Sequence, residues 1–427
     1  MNQMYRISLA VLLLIGLSEP MYADNRLLIE NKSTAQLTDK AFVVARKQLK
    51  RVPRALLPTL VTKAGKQILA QVDDLDYDGQ WDELAFVCDL APKEKLELML
   101  KWVPADALPS FPVRTNVRFG KMTSPGKIVG LTTDMHGKYN LPRGKGYPYQ
   151  MDGVAWENDK IGFRHYFDGR NVRDIFGKRV PSMVLDTVGI MPDGSPGDTY
   201  HVLRPWGRDV MNGAQALGLG GIALQLPDTL IRLGVLRSQT TDNVDSTRYT
   251  LLAEGPVRSV FQLDFYGWDI GKTKINLNHT VTIWAGQYGY ENRVTTSPLP
   301  ANSYLVTGIV NSLNTQPYIS RQSREYEIRA THDKQTYGKE WILGMGIIVP
   351  KTHYAGEFEA PKTGNGISTS WCFNLKPDKN NEVRYDCYAA WELSDARFAQ
   401  RDAFIELLDA ASARNESGLV ALRIINE

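Results

Sequence analysis

The 427-residue chain is 43% hydrophobic and 23% charged, with a formal net charge of +3. That balance belongs to a globular protein with an ample core; it excludes a disordered chain and gives no electrostatic case for nucleic acid or a membrane as partner. Three cysteines are too few for a disulfide framework.

The chain opens with "MNQMYRISLAVLLLIGLSEPMYADN". One basic residue, Arg6, precedes an apolar run from Ile7 to Leu17, then a polar break and the small residue Ala23. This predicts a secretory signal peptide over residues 1–23 and a mature protein that is periplasmic or secreted. The run is shorter than the about 20 apolar residues a membrane span needs, and no later segment reaches that length. Residues 24–105 read as an N-terminal β-sheet unit and 106–427 as the main body, with the boundary near "PADALPSFP".

Strand-like alternation follows in three groups. "KQILAQVDD", "DELAFVCDL" and "KLELMLKWV" form an early meander. "PVRSVFQLDFYGWD", "KINLNHTVTIWAG" and "YENRVTTS" form a later one, and "EWILGMGIIVP", "STSWCFNL" and "RYDCYAAWEL" another. The runs are rich in Val, Ile, Tyr, Phe and Trp and end in Gly, Asp, Asn or Pro. They predict an all-β chain with few short helices: a large β-sandwich, of which the galactose-mutarotase-like supersandwich is one form. The clearest helix is "SDARFAQRDAFIELLDAASAR", with Phe398, Phe404, Leu407, Leu408 and Ala411 on one face and Ser394 as its N-cap. Cys372 and Cys387 flank what reads as a hairpin and could bridge in an oxidising compartment, whereas Cys88 reads as a buried thiol.

Four segments carry chemistry. In "DDLDYDGQWDE", Asp74, Asp76, Asp78 and Asp82 fall at positions one, three, five and nine, with Gly79 at the turn. Calcium loops use this grammar, and so do ordinary polar hairpin turns; a bound calcium would be structural. "DMHGKYNLPRGKGYPYQMDGVAWEN" adds His136, Tyr147, Tyr149, Trp156 and Glu157 on a Gly/Pro-rich stretch. "FRHYFDGRNVRDIFGKR" reads as a strand at its start, so Phe163, His165 and Phe167 share one face and Arg164, Tyr166 and Asp168 the other. "TYHVLRPWGRDVMNG" carries His201, Arg204, Trp206, Arg208 and Asp209, and Pro205 takes it out of a central strand into a loop.

Together these residues have the composition of a site for an acidic sugar. Guanidinium forks bind carboxylate or sulfate, Trp and Tyr faces stack on sugar rings, and His and Tyr accept and donate protons. Other chemistries fit less well: G-x-S-x-G and H-E-x-x-H are absent, the six histidines lack zinc-site spacing, and "LGLGG" lacks the lysine of a phosphate loop.

"DLDYDGQWDELAFVCDL", "FRHYFDGRNVRDIFGK", "YHVLRPWGRDVMNGAQALGLGGIAL" and "EGPVRSVFQLDFYGW" resemble the bacterial domain-of-unknown-function family four-eight-six-one. Its members are secreted and encoded in polysaccharide-utilisation loci, and the resemblance spans nearly the whole mature chain. It implies a β-sandwich and a carbon–oxygen lyase activity. Water would be eliminated across C4–C5 of the terminal uronic acid of an anionic oligosaccharide, as in breakdown of the algal polysaccharide ulvan. No cofactor is required, and monomer and homodimer both remain open.

That reaction needs three functions. The substrate carboxylate must be neutralised, for which Arg164, Arg204 and Arg208 are candidates. A base must take the C5 proton, with His201 first and His165 second, and an acid must protonate the departing hydroxyl, for which Tyr166 is chosen. Trp206 and Trp156 would stack on sugar. The alternatives are a glycoside hydrolase using two of Glu157, Asp168, Asp209 and Glu291, or a sandwich that binds carbohydrate without catalysis.

Overall fold

The computed structural model describes residues 25–143, 147–213, 215–363 and 366–426. The leader expected at the start of the chain lies outside them. Among the described residues no helix is long and apolar enough to cross a membrane.

The main body is built on one nine-stranded antiparallel sheet running from Thr133–Gly137 at one edge to Ile319–Gln322 at the other. In its middle, Lys274–Trp284 shows why the sequence forms a sheet: Ile275, Leu277, His279, Val281 and Ile283 point inward at period two, and the residues between them outward. Two five-stranded sheets share a core with this face. One comprises Thr115–Arg118, Gly153–Asn158, Ile161–Tyr166, Arg173–Lys178 and the short edge Gly207–Asp209; the other is centred on Tyr304–Val310. The expected large all-β sandwich is the architecture found.

The glycine run "LGLGG" joins the two smaller sheets. Gly218 bridges to Arg173 and Leu219 to Ile309. Gly218 has φ +71, and a Cβ there would sit 1.8 Å from the Arg173 carbonyl oxygen, so the close approach needs glycine. The Tyr290 and Tyr385 hydroxyls donate to the carbonyls of Leu219 and Gly220, at 2.5 and 2.8 Å.

At the start of the described chain, a four-stranded and a three-stranded sheet enclose a second core around Leu27, Ile29, Leu84, Phe86 and Leu98. The strand Val420–Ile425 returns from the far end of the chain to pair with Arg26–Asn31. This unit docks on the main body through Ala85 and Val87 against Val257 and Trp284. Buried Arg258 reinforces the joint by pairing with Asp73 and Glu83 at 2.7 and 2.6 Å.

Two local expectations need correction. Cys372 and Cys387 are both free and buried. The segment between them is no hairpin: Ser370–Leu375 belongs to a five-stranded sheet and Glu382–Trp391 to the nine-stranded one. The helix is also shorter than read. Ala396–Ala399 forms a 3-10 turn capped by Asp395, whose carboxylate accepts from the Arg397 amide at 3.0 Å. Extended Gln400 then separates this turn from the helix Arg401–Asn415.

That helix covers the outer face of the nine-stranded sheet with Phe404 and Leu408 fully buried. It lies close because Gly344 and Gly346 leave the strand Leu343–Pro350 flat: a Cβ at Gly344 would meet the Phe404 ring at 2.6 Å. Overpacking of this kind typically costs about 1–3 kcal/mol. Gly344→Ala is therefore expected to lower the thermal unfolding midpoint, and an unchanged midpoint would show that the helix is not held by this contact.

Candidate functional site

On the outer side of the first five-stranded sheet lies a hollow of about 480 Å³. Its lining includes Tyr166, Arg170, His201, Asp209, Arg232 and Tyr337, which come from separate stretches of the chain.

Arg164 forms the floor. In the strand Ile161–Tyr166, Phe163 and His165 turn into the core while Arg164 and Tyr166 face the other side, as period two requires. The outer side is also covered, so Arg164 is 0% exposed. Its guanidinium lies over the rings of Tyr166, Tyr200 and Phe176, at 4.3, 4.9 and 5.2 Å from their centroids. Nη2 donates to Asp174, to Asp209 at 2.9 Å and to the Tyr166 hydroxyl oxygen at 2.5 Å. Asp174 is the cross-strand partner of Arg164 in the hairpin that joins Ile161–Tyr166 to Arg173–Lys178. Asp209 comes from the edge strand Gly207–Asp209.

This floor orients two groups toward the hollow. The Tyr166 hydroxyl donates to Asp174 at 2.9 Å. Burial, above all, holds the phenol well above its usual pKa, so it stays protonated at neutral pH; the Arg164 charge opposes the shift. His201 places Nε2 3.5 Å from Asp209 and stacks on Tyr337, with centroids 6.1 Å apart and an interplanar angle of 8°. The Asp209 contact raises the imidazole pKa, with partial burial opposing it. Burial and the neighbouring Asp209 charge push Asp174 up to about 6. The result is a half-buried phenol and an exposed imidazole on one charged platform.

Of the residues singled out in the sequence, Tyr166, His201 and Asp209 line the hollow and Arg164 lies directly beneath them. The others go elsewhere. His165 is buried on the core side near Phe265, and burial followed by the Arg173 charge holds its pKa well below the usual imidazole value. Trp156 is wholly buried against Phe163, Phe261 and Tyr290, where no sugar can stack on it. Trp206 packs edge-on against Phe176, and Arg204 is exposed on the turn that closes onto Gly207. Arg208 alternates with Asp209 on the edge strand, so it faces away, toward Glu340 at 3.4 Å and over Trp341.

Of the four hydrolase carboxylates, Asp209 alone lines the hollow. Glu157 is buried with Lys178 and accepts from the Val184 and Leu185 amides, Asp168 holds Arg170, and Glu291 lines a different cavity. In the acidic hairpin, one oxygen from each of Asp74, Asp76 and Asp78 lies within 4.8 Å of the others. Asp82 instead accepts from the Leu75 amide at 2.7 Å, and the hairpin lies outside the hollow.

Sequence reasoning missed Asp174, Arg170, Arg232 and Tyr337. One signal was present for Asp174: folding "FRHYFDGRNVRDIFGK" about its "DGRN" turn sets residues 164 and 174 opposite each other.

Comparisons with known proteins place these features in context. A 228-residue stretch is 25% identical to "Uncharacterized protein P7" of Formosa agariphila, covering 50% of this chain and 48% of that protein. The chain thus spans about half the length of this curated relative. Among solved structures, a protein in glycosyl hydrolase family 38 from Enterococcus faecalis superposes with a TM-score of 0.50 at 10% identity. That match covers 95% of this chain and 48% of the other, and supports the fold alone. An alpha-mannosidase from Enterococcus faecalis gives a TM-score of 0.48 at the same identity, covering 95% and 46%. The profile of a domain of unknown function, DUF4861, matches residues 29–419, and the chain belongs to that family.

Proposed function

We propose that this protein is a carbohydrate-active lyase that eliminates water across C4–C5 of a terminal uronic acid on an anionic oligosaccharide. The observation that carries this reading is the meeting of Tyr166 and His201 in one hollow over Arg164, with three further guanidinium groups, Arg170, Arg232 and Arg237, in its lining.

In this reaction His201 Nε2 takes the C5 proton. The electron pair of the C5–H bond becomes the C4=C5 double bond, the C4–O4 bond breaks, and the Tyr166 hydroxyl gives its proton to O4, which leaves as water. Asp209 supports the first transfer by stabilising the imidazolium that forms. Arg164 Nη2, 2.5 Å from the phenol oxygen, supports the second by stabilising the phenolate left behind. Arg164 is therefore a positioning residue and not the carboxylate receptor. A hydrolase is less well supported, because Asp174 and Asp209 bind the same guanidinium nitrogen and do not flank an open space.

The direct test is to incubate uronate-ended oligosaccharides with the protein and follow ultraviolet absorbance. Elimination creates an absorbing unsaturated uronate. New reducing ends without absorbance would favour hydrolysis, and retained binding with neither signal would favour a non-catalytic module. His201→Ala and Tyr166→Phe are each expected to cut turnover by about 10²–10⁴-fold while the protein stays folded. Wild-type turnover in both would eliminate this chemistry.

The pH profile supplies a second test. Only the neutral imidazole accepts a proton, and Asp209 keeps the ring protonated to higher pH than usual. The rate constant kcat/KM should rise with pH through an apparent pKa above the ordinary value of about 6.5. A profile flat from about pH 5.5 to 8.5 is incompatible with an imidazole base. As a calcium site, the acidic hairpin would stiffen the N-terminal unit, so chelation should lower the melting temperature; no change would remove calcium from the account.

A further inference from the structure

Four guanidinium groups border or underlie the hollow, and three of them are accounted for. Arg164 lies between Asp174 and Asp209, and Arg170 is tied to Asp168 at 2.7 Å and Asp152 at 3.4 Å. Arg237 is exposed at the rim. Arg232 differs from all of them.

It ends the short edge strand Leu230–Arg232 and lines the hollow while only 8% exposed. Its donors go to neutral acceptors: Nη1 to the carbonyls of Gln215 at 2.9 Å and Ala216 at 3.3 Å, and Nη2 to the carbonyl of Arg170 at 3.0 Å. Nε has no partner. Among the described residues, no carboxylate oxygen lies within 4.0 Å of it. A guanidinium carries five N–H donors; with three given to carbonyls and Nε enclosed, one Nη2 N–H is left for an anion.

A buried cation is costly without a counter-ion, and proteins ordinarily supply one. Here the chain spends its nearby carboxylates elsewhere: Asp168 on Arg170, Asp209 on Arg164 and His201. The carbonyls of Gln215, Ala216 and Arg170 hold the side chain in place without cancelling its charge. Desolvation by burial, followed by repulsion from Arg170, lowers its pKa to about 10, which still leaves it charged at neutral pH.

We infer that Arg232 is the anion receptor of the hollow and holds the carboxylate of the terminal uronate. This inference rests on the uronate reading above and adds the residue that reads the charge. The sugar's acid group then sits at the Arg232 wall, and its C4–C5 edge lies toward Tyr166 and His201. Recognition of a sulfate ester would use the same chemistry, so the test separates the two oxyanions.

Binding of methyl glucuronoside, methyl glucoside and methyl glucoside 6-sulfate is measured by calorimetry on the full chain, wild type and Arg232→Gln. Wild type should prefer the glucuronoside to the glucoside. Arg232→Gln should lose about tenfold or more of the glucuronoside affinity and leave the glucoside unchanged, as expected for one charge-assisted contact. A wild-type preference for the glucuronoside that survives in Arg232→Gln would overturn the assignment of Arg232 alone. No wild-type preference for either anion would overturn the uronate reading itself. A preference for the sulfate that depends on Arg232 would keep the receptor and overturn the carboxylate. Should Arg232→Gln fail to fold, a wild-type crystal grown with the glucuronoside decides the point. A carboxylate within hydrogen-bonding distance of Arg232 supports the inference, and a carboxylate bound at Arg170 or Arg237 instead overturns it.

Discussion

Arg164 has no exposed surface, and a guanidinium in that position is costly without counter-ions. Two carboxylates answer it, one from the neighbouring strand of its own hairpin and one from an edge strand 45 residues later. Removing one partner of a buried pair typically costs about 3–5 kcal/mol, because the remaining charge stays buried. The loop carrying His201 is thereby tied to the hairpin carrying Tyr166. Each side chain leans on that tie as well as on packing: His201 is 46% exposed, and Tyr166 lies at the end of its strand.

The sheet arrangement explains why such a cluster can exist inside a β-sandwich. A strand covered on one face needs mainly apolar alternation, as Lys274–Trp284 shows, with His279 the polar exception among its inward residues. Ile161–Tyr166 and Arg173–Lys178 are covered on both faces, by the nine-stranded sheet within and by Met151, Leu185, Val188 and Tyr200 outside. A charge on the outer face therefore meets rings and other charges instead of water. There it is held by several partners at once, here Asp174, Asp209 and the Tyr166 hydroxyl.

This double covering also decides what the sequence could reveal. Period two placed Arg164 and Tyr166 on the face opposite Phe163 and His165, because alternation is a property of the strand itself. It said nothing about which aromatic residues reach the surface. Trp156 alternates like its neighbours and is wholly buried, because the core behind it holds Phe261 and Tyr290 from distant strands. The same limit hid Arg232: within "LIRLGV" it looks like one polar position in an edge strand. Its lack of a counter-ion exists only once the carbonyls of residues 170, 215 and 216 surround it. Arg208 drew notice as a cation in a charged run, yet a single step of alternation gives the inward position to Asp209. Composition announced the cluster, whereas partner choice belonged to the fold.

The placement of charge by depth carries one further consequence. Both floor carboxylates share Arg164, and burial together with the Asp209 charge makes Asp174 reluctant to ionise. The floor sets one guanidinium against two carboxylates and so has no positive charge to spare. At the wall, Arg170 is paired with Asp168, while Arg232 has carbonyl partners and, among the described residues, no carboxylate at ion-pair distance. An anionic sugar entering this hollow finds little attraction below and a positive wall beside it. In the proposed reaction that difference orients the ring: its acid group is drawn sideways, which leaves the C4–C5 edge over the phenol and the imidazole. A site with its strongest cation on the floor would draw the carboxylate down onto Tyr166 and block the transfer it has to make. Neutralising Arg164 is thus a condition for using Tyr166 as the acid.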